Sequence, residues 1–159
     1  DRGHFFESYR EDTLKGAGIN EAFVQDNQSL SGKGILRGLH FQRNPYAQGK
    51  LVRVLQGAVL DVAVDIRKES ETYGQHLSIE LSADNKKMLY VPPGFAHGFL
   101  TLEDDTIFCY KCTNYYDKES EGSILWNSPS LGINWDIDDP KLSDKDIEAK
   151  DFSDFNSPF

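Results

Sequence analysis

The chain has 159 residues, of which 38% are hydrophobic and 27% charged, and its formal net charge is −9. That length suits one domain able to bury roughly 68–70% of its unfolded surface, while the acidic balance opposes a broad nucleic-acid footprint, which is built from Lys and Arg. Mean hydropathy is −0.54, no apolar run approaches the roughly 20 residues of a membrane span, and no signal-peptide pattern is present, so the expectations are no nucleic acid, no membrane and a cytoplasmic location.

In chain order, Ser8–Gly16 is a candidate for a short helical turn. Short runs rich in Val, Ile, Leu, Phe and Tyr then succeed one another: Ala22–Ser29, Ile35–Gln42, Lys50–Leu55, Val59–Ile66, Leu77–Leu81, Met88–Val91, His97–Leu102 and Thr106–Tyr116. Between them stand turn signals, including Ser31–Gly34, Asn44-Pro45, Gln56-Gly57, Tyr73-Gly74 and Pro92–Gly94. In one run Leu60, Val62, Val64 and Ile66 alternate with Val59, Asp61, Ala63 and Asp65, the period of a strand with two different faces. Ala83–Lys87 can hold a turn. Ser143, followed by Asp144 and Asp146, reads as an N-cap with acidic residues in the first turn, which predicts a short helix over Ser143–Ala149. The tail Asp151–Phe159 is polar and aromatic without a period and reads as loop or interface. Short strands with regular punctuation predict one all-β domain over residues 1–159, a sandwich or barrel ending in a short helix.

The chemistry-bearing residues cluster at strand ends. Arg37, His40 and Lys50 are too polar to line a core strand without one another or a shared charged ligand. An imidazole can accept a proton near neutral pH, and Asp146, if it reaches back, can orient the His40 ring and support its charged form. Tyr110 and Tyr116 share a face if their strand continues unbroken, and a phenol can serve as acid or stacking platform. Asp61 and Asp65 also share a face, readable as satisfied polar groups near a barrel rim or as part of a site. The run Asp136–Asp139 reads as a solvated loop. Cys109 and Cys112 form a CxxC, but odd spacing in a strand points them to opposite faces, and two reduced thiols are the simplest account.

Pro92-Pro-Gly-Phe-Ala-His97 is similar to the second signature of the cupin jelly roll, in which the His often binds a metal. The first signature requires a His-x-His pair and a following Glu, where this chain has Leu39-His40-Phe41 and Lys50. Catalytic zinc normally takes three protein ligands, so the expected barrel has no metal. A metal-dependent cupin enzyme such as an oxygenase is the alternative from another class.

The ordered set of motifs resembles the dTDP-4-dehydrorhamnose 3,5-epimerase family over nearly the whole chain. The matching stretches are Asp1–Ser8, Phe23–Asn27, Leu36–Gln42, Gln48–Arg53, Asp61–Arg67, Pro92–Phe99, Tyr110–Tyr116, Ser120–Asn127 and Leu142–Asp146. The resemblance implies a double-stranded β-helix (jelly roll) that acts as a homodimer without a cofactor. It implies one more strand ahead of Asp1, expected to be missing from this copy. It further implies a dTDP-sugar substrate, dTDP-4-dehydro-6-deoxy-D-glucose, epimerised at C3 and C5. By resemblance His40 is the base, Asp146 its support, Tyr110 the proton donor on the opposite sugar face and Lys50 the neighbour of the C4 oxygen. Arg2, Glu7, Gln25, Asn27, Arg37, His97, Glu121 and Lys145 would line the substrate site, and Tyr116 would stack on thymine. A mono-epimerase acting at C3 or C5 alone shares these motifs and stands as the nearest alternative.

Overall fold

The structure, a computed structural model, describes residues 2–159. Among these the strands are β1 (Gln25–Ser31), β2 (Leu36–Gln42), β3 (Lys50–Gln56), β4 (Ala58–Asp65), β5 (His76–Ser82), β6 (Met88–Val91), β7 (Phe95–Thr101), β8 (Thr106–Cys112) and β9 (Glu121–Ser123). Two short helices join them, α1 (Glu11–Gly16) and α2 (Asp144–Ile147). One sheet has the order β1-β8-β3-β6 and the other β5-β4-β7-β2-β9, with antiparallel neighbours throughout. The expected all-β jelly roll with a short helical end is what forms.

The alternation within β4 accounts for two separate cores. Its odd-numbered side contributes Val59 to an inner cluster between the sheets, with Val52, Val54, Leu81, Phe99 and Phe108. Its even-numbered side turns Val62 and Val64 outward to a second cluster with Leu36, Leu39, Phe41, Ile66 and Ala96. That outer face is roofed by the chain after β9, through Ile124, Leu131, Trp135, Phe152, Phe155 and Phe159. Both faces of β4 are largely buried, and its two ionisable residues, Asp61 and Asp65, stand on the odd-numbered side.

Three expectations change. The run ending at Tyr116 stops pairing at Cys112: the Asn114 side chain accepts a hydrogen bond from the Tyr115 N–H at 2.9 Å, and the Tyr116 N–H turns to Gln25 at 2.9 Å. An Asn that bonds its local backbone competes with the ladder. The helix near Ser143 spans four residues rather than seven, Asp144–Ile147. The tail, expected as loop or interface, is a strap that packs within this chain. Its aromatic rings pack on the outer core, and buried Ser157 donates to the Ile66 carbonyl.

Candidate active site

The cleft is built where β2 departs from regular pairing. Its register against β7 shifts between Arg37 and His40, and such a bulge re-aims the side chains that follow it. The two backbones approach closely here: a Cβ on Gly38, whose φ is +138°, would meet Gly98 Cα at 2.5 Å. Glycine at both positions allows the approach.

His40 emerges from this bulge with its Nε2 2.5 Å from Asp146 Oδ1. Asp146 is 2% exposed and is held by α2, whose N-cap Ser143 donates from Oγ to Asp146 Oδ2 at 2.7 Å. Burial pushes the Asp146 carboxyl up, but the bonds from His40 and Ser143 outweigh it and hold the group below the ordinary carboxylate value. An ionised Asp146 therefore faces the imidazole and fixes the orientation of its ring.

The opposite wall comes from the other sheet. Tyr110 on β8 and Lys50 on β3 both point inward, with Lys50 Nζ 5.8 Å from the centre of the Tyr110 ring. Burial lowers the Lys50 pKa, opposed by the negative side chains of Asp61 and Glu121. Burial likewise raises that of Tyr110, so the phenol keeps its proton. Cys112, next to Lys50 across the β3–β8 ladder, is a buried free thiol whose pKa burial also raises. Cys109 is free on the outer side, as odd spacing predicts.

Two adjoining cavities share His40, Lys50 and Tyr110. The outer, about 340 Å³, is also lined by Gln25, Asn27, Gln42, Gln48, Tyr116 and Glu121. The inner, about 280 Å³, adds Arg37, His97, Phe99, Phe108, Ser143, Lys145 and Asp146. At the mouth Lys145 Nζ lies 2.6 Å from Glu121 Oε1, and the Tyr116 hydroxyl donates to Glu121 Oε2 at 3.3 Å. Arg37 donates to Ser31 Oγ at 3.2 Å. His97 is engaged by buried Asp61, whose two oxygens each lie 3.0 Å from His97 Nε2.

Of the residues expected in the site, the structure brings together His40, Asp146, Tyr110, Lys50, Gln25, Asn27, Arg37, His97, Tyr116, Glu121 and Lys145. Tyr116 arrives from a loop rather than from the strand face it was expected to share with Tyr110. Arg2 and Glu7 line neither cavity. Both are exposed, and Glu7 lies 4.0 Å from Arg10. Their neighbours His4 and Phe6 face a separate cavity with Arg53 and Met88, on the outer side of the four-stranded sheet. Asp65 belongs to a different network, bound by Arg67, Ser70 and Thr72.

Gln42, Gln48, Ser143, Phe99 and Phe108 also line the cleft without having been singled out. Ser143 carried a signal as an N-cap, whereas the two phenylalanines read like any core strand residue. Each site histidine is already committed to a carboxylate, and among the described residues no three His, Cys, Asp or Glu side chains converge as a metal-binding set. The donors present do not fit the three-ligand centre of a metal cupin.

The model of the dTDP-4-dehydrorhamnose 3,5-epimerase family matches residues 1–154. The Salmonella typhimurium enzyme of that name is 57% identical over 151 residues, 94% of this chain and 82% of that one. Among solved structures, the Elizabethkingia anophelis dTDP-4-dehydrorhamnose 3,5-epimerase superposes with a TM-score of 0.93 at 52% identity, covering 97% of this chain and 86% of that one. A Legionella pneumophila 3,5-epimerase in complex with dTDP-4-keto-L-rhamnose gives 0.94 at 48% identity, covering 98% and 84%.

Proposed function

The chain belongs to the dTDP-4-dehydrorhamnose 3,5-epimerase family, and from that membership we propose how its own residues epimerise dTDP-4-dehydro-6-deoxy-D-glucose at C3 and C5. The observation that carries the mechanism is the placement of His40 and Tyr110 on opposite sheets, across one cleft, with Lys50 beside them. A ketone at C4 acidifies the hydrogens on both neighbouring carbons, because loss of either leaves an enolate delocalised onto the carbonyl oxygen. His40 removes the proton, and the C–H electrons move into the enolate. Lys50 donates a hydrogen bond to the developing oxyanion. Tyr110 then delivers a proton to the carbon from the far face, inverting it, and the pair is reset through solvent before the second carbon reacts.

Each part has a scale. A positioned acid or base is worth about 10²–10⁴-fold, and an oxyanion donor about 2.7–4 kcal/mol. Asp146 fixes the His40 ring and stabilises the imidazolium formed on proton transfer, the support a buried carboxylate gives a catalytic His. No step requires a cofactor.

Binding energy comes from the nucleotide, which does not react. The guanidinium of Arg37 and the ammonium of Lys145 suit a diphosphate, and the half-exposed ring of Tyr116 suits thymine. Gln25, Asn27, His97 and Glu121 supply hydrogen bonds along the cleft. We further propose that the enzyme works in the cytoplasm as a homodimer.

Incubating the sugar nucleotide with the protein in D₂O and following it by NMR tests the reading. Deuterium at both C3 and C5, with inversion at each, is expected. Label at only one carbon would make the enzyme a mono-epimerase, and label at neither would remove the assignment.

A further inference from the structure

One wall of the cleft takes no part in the proton chemistry. Phe99 on β7 and Phe108 on β8 border the inner cavity together with His40, Lys50 and Tyr110. Their rings stack with centroids 4.1 Å apart and planes at 26°. The Phe108 ring lies 5.9 Å from that of Tyr110 and 6.3 Å from that of His97, and with Phe99 5% and Phe108 1% exposed the pair is a nearly covered apolar wall behind the reacting groups. Phe41 borders the outer cavity, but its ring packs against Phe155 and Phe159 on the far side of its sheet. Apart from Phe41 and the tyrosine rings, the stacked pair is the apolar part of a lining otherwise made of amides, imidazoles, hydroxyls and charges.

The sugar of the substrate carries one apolar group to match. Its sugar presents hydroxyls at C2 and C3, a carbonyl at C4 and the nucleotide at C1. The methyl at C6 alone has no hydrogen bond to make. We propose that Phe99 and Phe108 hold the C6 methyl group and thereby select 6-deoxy sugars over their 6-hydroxy counterparts. This inference rests on the substrate reading given above.

The physics favours it twice. A methyl moved from water onto two phenylalanine rings gains hydrophobic burial. A hydroxyl in the same place loses its water and meets no donor or acceptor on either ring. The selection also acts on the chemistry, because C6 is attached to C5, one of the two carbons that lose a proton. Holding the methyl against the wall limits rotation of the ring and keeps the single hydrogen of C5 facing His40.

The test compares kcat/KM for three dTDP-4-keto sugars: the 6-deoxy sugar, its 6-hydroxy counterpart and the pentose lacking C6. Deuterium uptake at C3, a carbon all three share, is the common readout. The 6-hydroxy sugar is expected to be slower by about 10²-fold and the pentose by about tenfold or more. Phe99→Tyr, which supplies a hydroxyl partner, should narrow the 6-deoxy to 6-hydroxy ratio several-fold. On the unaltered protein, NMR of bound dTDP-L-rhamnose, which keeps the methyl but has no ketone, should give nuclear Overhauser effects from the C6 protons to phenylalanine ring protons. Equal rates for the 6-deoxy and 6-hydroxy sugars overturn the proposal. So does a C6 methyl whose contacts are all with other residue types. Exchange with none of the three sugars would instead overturn the substrate reading, and the methyl site with it.

Discussion

Burial treats Lys50 and Tyr110, neighbours on one wall of the cleft, in opposite ways. Desolvation disfavours a charged form, so it keeps the Tyr110 phenol protonated and makes the Lys50 ammonium easier to lose. Lys50 assists only while it carries its proton. Its pKa lies below the ordinary lysine value of 10.5, so the ammonium disappears as pH rises through that lowered value. The profile of kcat/KM against pH should therefore fall on the alkaline side before the usual lysine range is reached. In Lys50→Arg the limb should move to higher pH, because a guanidinium stays charged. A limb that does not move in that variant assigns it to another group. Several of these residues could be picked out as chemistry from residue type and order alone, since a His, an Arg and a Lys at strand ends are hard to explain as core. Phe99 and Phe108 could not. A cleft-lining phenylalanine and a core phenylalanine have the same local pattern, and only the facing sheet distinguishes them.

Among elements, α2 shows how little regular structure a site needs. Its four residues are too few to be stable as an isolated helix, and its cap residue also binds the carboxylate that orients the base. Ser143→Ala should cost about 1 kcal/mol of stability, measured by urea denaturation, and should lower kcat more than it changes dTDP affinity. Unchanged kcat would mean that Asp146 does not depend on its Ser143 bond. The strands rich in Val, Ile and Leu were legible because their alternation repeats over whole elements, as in β4. Three features escaped that reasoning. β9 has three polar residues, Glu121–Ser123, and no hydrophobic period. Tyr116 lies past a strand end set by the side chain of Asn114. The strap from Asp151 to Phe159 packs as single rings on the outer core, a pattern without a repeat for the sequence to display.

For the whole molecule, net charge and ligand charge have the same sign. A chain of formal charge −9 must hold an anionic nucleotide by local cations such as Arg37 and Lys145 rather than by its overall field. The exposed Leu30, Leu55 and Phe5 give the proposed homodimer an apolar surface to cover. Sedimentation should find the mass of two chains, and a double change of Leu30→Asp and Leu55→Asp should shift it toward one. A single-chain mass for the unaltered protein would contradict the dimer. The account as a whole depends on a base and an acid attacking the sugar from opposite walls, and Tyr110→Phe in D₂O tests that most directly. With the acid gone and the base intact, C–H bonds should still break, so deuterium should enter the substrate while inversion is lost. Epimerised product forming at the unaltered rate in that variant would contradict the mechanism.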